Sequence, residues 1–265
     1  PPRGWCPRCR SRRPSRLCHC LVWLLAPTLL LGCATEKLID TIPISSRSAF
    51  QKGPITLDIT NASGSVSVLV RKDVEPQIRV RPVNGPAGHR TQPVAHGNAR
   101  WVRNDSGASL VINAGSVADP VAVSVLLPAC DSLRIRSANG PVDVSGVNGP
   151  IDIRNDSGGG GTPVTVYTTA DLTGPINIRA GHGDITLTMG DGSAGTLLAN
   201  TPAGQTRSAP GKATCSAVKV DRTTFTGVFN KGTNPWTIEA QQGNLLLTLQ
   251  ADAPPPPSVM DLWPW

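Results

Sequence analysis

The sequence predicts an all-β fold of stacked short strands, β-solenoid-like or an irregular β-sandwich, and three observations carry that expectation. From Gly53 to about residue 250, apolar and polar residues alternate in one short segment after another. A period of two puts the apolar set on one face of an extended strand. No segment of similar length shows the 3.6-residue period of an amphipathic helix. The 27 Gly and 25 Pro follow no Gly-X-Y repeat, which excludes collagen and suits frequent turns between strands. An apolar fraction of 39% is enough for a core, and four His with one Tyr leave little material for acid–base chemistry.

In chain order, residues 1–32 come first, with Arg3, Arg8, Arg10, Arg12, Arg13 and Arg16 and no Asp or Glu. This basic stretch runs into the apolar segment Leu17–Leu31, interrupted by Pro27, which is short for a spanning helix and suits the apolar region of a signal peptide. Cys6, Cys9, Cys18 and Cys20 have spacings that suit thiolate metal binding, but two of them open the apolar run, so no metal is expected. The run closes in Leu30-Leu31-Gly32-Cys33, which resembles the bacterial lipobox. That resemblance implies cleavage before Cys33, acylation of Cys33, and attachment to a membrane through acyl chains rather than a spanning helix. The alternative is an ordinary signal peptide or a short anchor. By the same resemblance, Ala34 after the cysteine points to the outer membrane or cell surface rather than the inner membrane. The whole chain carries +7, from 25 Lys+Arg against 18 Asp+Glu. Without the six leader arginines the balance is 19 against 18, or +1, and the electrostatic case for a nucleic-acid partner disappears.

Residues 33–52, with Pro43 and Ser45-Ser46-Arg47-Ser48, read as the lipidated cysteine and its tether. The β domain is expected over 53–250. Its alternating sets are Ile55-Leu57-Ile59, Val66-Val68-Val70, Ile78-Val80, Leu110-Ile112, Val121-Val123-Val125 and Leu133-Ile135, then Val142-Val144, Ile151-Ile153, Val164-Val166, Ile176-Ile178, Ile185-Leu187-Met189, Val218-Val220 and Leu245-Leu247-Leu249. Segments 84–100 and 200–213 lack alternation and read as loops. Residues 251–265, with Pro254–Pro257 and Trp263-Pro264-Trp265, read as an extended Pro-rich tail.

Several strands are also repeats. Asn139-Gly140-Pro141-Val142-Asp143-Val144 recurs nine residues on as Asn148-Gly149-Pro150-Ile151-Asp152-Ile153, and Gly174-Pro175-Ile176-Asn177-Ile178 and Gly183-Asp184-Ile185-Thr186-Leu187 are variants. Each unit is a strand launched by a glycine turn, too small to bury its apolar face except against the next unit. These units resemble the adhesin-like bacterial domain families DUF4097, the toastrack group, and the related head-GIN domain. Pro often stands here where those families carry Asp or Ser. The resemblance implies a β-solenoid-like stack with an adhesive or envelope-scaffolding role, and it supplies no catalytic residues.

The outward positions of the repeats hold Asp143, Asp152 and Asn177, with Arg154 and Arg179 closing their strands and Thr186 and Thr188 further on. Aligned on one face, such groups would hydrogen-bond a glycan or an envelope component, and they form the candidate binding face. A solvated polar face is the plainer alternative. A polysaccharide-acting β-helix enzyme would need a carboxylate pair, for which Asp143 and Asp152 with Arg154 are the candidates. A purely structural or regulatory envelope domain is a third reading. No catalytic residue, cofactor or enzyme activity is expected. Asn61, Asn104 and Asn155 begin Asn-x-Ser-Gly segments and read as turns rather than glycosylation sites, and Gly181-His182-Gly183-Asp184 reads as a turn rather than a calcium repeat. Cys130 and Cys215 follow Cys33 and form a candidate disulfide in an exported domain, with two unpaired buried thiols as the alternative.

Overall fold

Alternation becomes strand along the whole domain. The computed structural model describes residues 54–83, 97–104, 107–156, 158 and 160–250. The leader, Leu30, Leu31, Gly32, Cys33, the tether, residues 84–96 and the Pro-rich tail lie outside the described residues. Among the described residues there are eighteen strands and no helix, in a ten-stranded and an eight-stranded sheet. The all-β expectation is met.

Seven consecutive strand pairs form rungs, the first strand of each in the ten-stranded sheet and the second in the eight-stranded one. They are β1 (Ile55–Asn61) with β2 (Val66–Val70), β5 (Gly107–Ala114) with β6 (Val121–Leu127), and β7 (Ser132–Ser137) with β8 (Val142–Ser145). Next come β9 (Ile151–Asn155) with β10 (Val164–Tyr167), β11 (Ile176–His182) with β12 (Ile185–Met189), β13 (Gly195–Asn200) with β14 (Thr206–Ala209), and β17 (Pro235–Gln242) with β18 (Leu245–Leu249). Neighbouring rungs pair in parallel throughout, from β1 on β7 to β12 on β18. This makes a two-sheeted stack closer to a solenoid than to a sandwich of hairpins.

The rungs do not stack in chain order. The second rung, β5/β6, sits outside the first, and the last rung, β17/β18, is inserted inside β13/β14. Antiparallel strands are confined to the two ends. β3 (Gln77–Pro82) pairs with β6 and β4 (Gly97–Asn104) with β5; at the far end β16 (Thr224–Phe229) pairs with β13 and β15 (Cys215–Val220) with β16. The predicted loop at 200–213 therefore contains strand β14, and β4 begins inside the predicted loop at 84–100.

The inward residues of both sheets make one apolar core, with Leu57, Ile59, Ile135, Ile153, Ile178, Leu187 and Leu247 wholly buried. Trp236 and Phe229 are the largest of its side chains and stack with centroids 5.7 Å apart. A Cβ added at Gly195 would strike the Trp236 ring, so the smallest inward residue of β13 makes room for the largest residue of β17. Val218 and Val220 correct one expectation. They lie in strand β15 but are 49% and 70% exposed, because the β15–β16 hairpin extends beyond β14, where the eight-stranded sheet has already ended.

Candidate functional site

The outward face of the ten-stranded sheet carries the densest polar array. In β7, Leu133 and Ile135 point into the core, so Arg134 and Arg136 point out. In β9 the same alternation buries Ile151 and Ile153 and turns out Asp152 and Arg154. β11 turns out Asn177 and Arg179, and β17 turns out Thr237 and Glu239. Parallel pairing in register aligns Arg134, Asp152, Asn177 and Thr237 in one row and Arg136, Arg154, Arg179 and Glu239 in the next. Adjacent members are about 4.8 Å apart along the hydrogen-bonding direction.

Asp152 is the hub of this array. Its Oδ2 accepts from the Arg136 guanidinium at 2.6 Å and lies 3.7 Å from Arg134 Nε, while its Oδ1 accepts from Asn177 Nδ2 at 3.0 Å. Burial pushes its pKa up, but the Arg136 hydrogen bond and the charges of Arg136, Arg154 and Arg134 outweigh this and hold the carboxyl below the usual range. Arg179 pairs with Glu239 at 2.9 Å. Arg154, exposed between two arginines, has no salt bridge among the described residues. Arg134, Arg136 and Glu239 were not among the sequence candidates, although Leu133-Arg134-Ile135-Arg136 and Trp236-Thr237-Ile238-Glu239 carry the same alternation.

Four of the five predicted face residues, Asp152, Arg154, Asn177 and Arg179, are brought together here. Asp143 is not. It lies on β8 of the eight-stranded sheet, in a separate row with Ser67, Thr165 and Thr186. The reason is the rung: each rung puts one strand in each sheet, while a nine-residue repeat holds a single strand, so its successive copies land on opposite sheets. Packed sheets lie about 10 Å apart and the two side chains point away from one another, so Asp143 and Asp152 cannot act as a carboxylate pair. Burial raises the pKa of Asp143, with hydrogen bonding from Thr165 opposing the rise.

The remaining candidates act in turns or in the core. Asp184 Oδ1 accepts from the Asn244 backbone N–H at 2.7 Å, and Asn244 Oδ1 accepts from the Gln205 N–H at 3.0 Å. The aspartate thus joins turns of neighbouring rungs, and no group of three or more metal-ligating side chains occurs among the described residues. Asn61 and Asn155 are 1% and 0% exposed, with Nδ2 donating to the Gly64 and Gly140 carbonyls at 3.0 Å. They are not the turn residues expected but the last inward residues of β1 and β9, bonded to turn carbonyls and too buried for a glycan. The disulfide expectation is corrected: Cys130 and Cys215 are both free. Cys130 lies at the entry to β7, six strand positions from β15, a separation of about 29 Å at ~4.8 Å per strand, whereas a bridge needs Cα atoms within about 7 Å. Burial pushes the Cys130 thiol up to about 12.

No protein-family model and no curated protein matches the chain. Among solved structures, the chain is similar to the crystal structure of a provisionally named cell adhesion protein from Clostridium sporogenes, at 12% identity and a TM-score of 0.48, over 74% of this chain and 93% of that one.

Proposed function

We propose that this chain is a lipid-anchored cell-envelope protein whose β-stack presents a polar sheet face for non-covalent binding, in adhesion or envelope scaffolding. The observation that carries the reading is the in-register array across β7, β9, β11 and β17, where guanidinium, carboxylate, amide and hydroxyl groups lie side by side on an open face. A rigid, regular display of donors and acceptors suits recognition of a repeating surface. The anchor half of the proposal rests on the basic leader and Leu30-Leu31-Gly32-Cys33. The finer kinship, to the DUF4097 and head-GIN adhesin-like domains, rests on the glycine-launched strand units. The same reading places the protein at the outer membrane or cell surface and makes it a binding module rather than an enzyme.

The full chain, immobilised and challenged with labelled envelope fractions and a broad glycan panel, is expected to retain material that its heat-denatured form does not. Equal retention by the two would rule out a folded binding face. In cells, labelled palmitate is expected to enter the wild-type chain and not Cys33→Ala; equal labelling would remove the anchor.

A further inference from the structure

We infer that the ligand of the ten-stranded face is a linear polysaccharide bearing carboxylate or sulfate groups, with Arg154 as the residue that selects for its charge. This deepens the binding role proposed above and rests on it.

Arg136, Arg154 and Arg179 are directly in register on three adjacent parallel strands. Like charges in this position repel and oppose pairing of their strands, and their neutralisation within the protein is uneven. Arg136 has Asp152 at 2.6 Å and Arg179 has Glu239 at 2.9 Å, each holding one outer guanidinium. Arg154 receives only longer-range attraction from Asp152, which Arg134 also faces at 3.7 Å with 56% of its side chain exposed. Asp58 lies in register with Arg134, but no salt bridge joins them among the described residues. The array thus sets four arginines against Asp58, Asp152 and Glu239, and its surplus charge falls on the central, exposed guanidinium. A guanidinium offers a planar fork that suits carboxylate and sulfate oxygens.

The rest of the face decides what carries that anion. None of the outward residues of β1, β7, β9, β11 and β17 is aromatic: the rows hold Thr56, Asp58 and Thr60 on β1, and Thr237, Glu239 and Gln241 on β17, beside the Arg, Asp and Asn already described. Without aromatic platforms, neither stacked bases nor stacked neutral sugars have a partner here. What the face does offer is hydroxyl and amide groups in rows flanking the charge. The rungs advance by about 4.8 Å, close to the rise of one pyranose in an extended chain, so a polymer lying across the strands would meet one row position per sugar.

The test uses the full chain and four immobilised or suspended probes: heparin, polygalacturonate, neutral dextran, and phosphatidylcholine vesicles with or without phosphatidylglycerol. Binding to heparin or polygalacturonate is expected, weakening as salt rises because exposed charges are screened, with dextran unbound. Arg154→Gln is expected to weaken binding about tenfold, the scale of one charge-assisted bidentate contact, and Arg154→Glu to remove it. The thermal midpoint of Arg154→Gln should stay level or rise, because the substitution relieves repulsion; a residue that merely supported the fold would lower it. Unchanged affinity in Arg154→Gln, dextran binding as strong as heparin, or retention of anionic vesicles without either polyanion would each overturn the inference. If envelope fractions are retained but both polyanions are not, only the charge selection fails. If nothing is retained, the binding role itself fails.

Discussion

Asp143 and Asp152 hold the same place in two nine-residue copies, yet their carboxyls shift in opposite directions. Asp143 is partly buried with Thr165 as its hydrogen-bond partner, so burial prevails and its pKa rises. At Asp152 burial is outweighed by Arg136, Arg154 and Arg134, so its pKa falls. The consequences for stability have opposite signs. The lowered Asp152 contributes stability that is present above the unfolded carboxylate pKa and is lost as pH falls through its folded pKa. The raised Asp143 favours the folded state when protonated, so it costs stability as pH climbs from the unfolded value of about 3.9 towards its own. Asp143→Asn is therefore expected to raise the unfolding midpoint at pH 7, and the gain should disappear below about pH 3.9. Thermal melts of both proteins across that range check it, and a constant or negative difference would contradict the burial argument. The repeat made the aspartates visible in the sequence, but their environments come largely from other strands: Arg134 and Arg136 on β7 for Asp152, and Thr165 on β10 for Asp143.

At the scale of the strand and its turn, the two copies diverge again. Gly140 has φ +108°, and a Cβ there would run into the Gly64 carbonyl of the next rung. Gly149 has no positive φ, and a Cβ on it would strike the Asp131 carbonyl instead. One glycine is required by conformation and close approach, the other by close approach alone. Gly140→Ala is expected to cost about 1–3 kcal/mol or more, the scale of a strained backbone residue. Gly158→Ala, with open space around it, should stay within about 0.5 kcal/mol; equal losses in chemical denaturation would refute the turn argument. Most strands were legible because Val, Ile and Leu fill their inward positions. β4, β13, β14, β16 and β17 were not, because their inward residues are Ala99, Trp101, Gly195, Leu197, Ala199, Thr206, Ser208, Gly227, Phe229, Trp236, Ile238 and Ala240. Small residues beside large ones fill a core as well as uniform aliphatics do, but they blur the alternation.

On the scale of the whole molecule, the stack has ends, and its rungs are out of chain order at both. The first and last rungs are interior, and antiparallel strands lie over β5, β6 and β13, which shields parallel edges that would otherwise invite pairing with other chains; β14 stays a parallel edge among the described residues. The same order holds Cys130 near the middle of the ten-stranded sheet and Cys215 at its edge. Without reductant, both thiols are therefore expected to alkylate in denaturant, and in the native protein Cys215 should react well before the buried Cys130. Peptide mapping after timed alkylation reads this directly, and a Cys130–Cys215 linked peptide would overturn the strand order. Class, period and outward chemistry were decided locally, because side-chain alternation and turn propensity depend on neighbours along the chain. Which outward residues share a face was decided by the rung, since one nine-residue step crosses from one sheet to the other. That step separated Asp143 from Asp152, added Arg134, Arg136 and Glu239 to the site, and left Arg154 as its exposed centre, because register between strands is set by packing across the stack rather than by distance along the sequence.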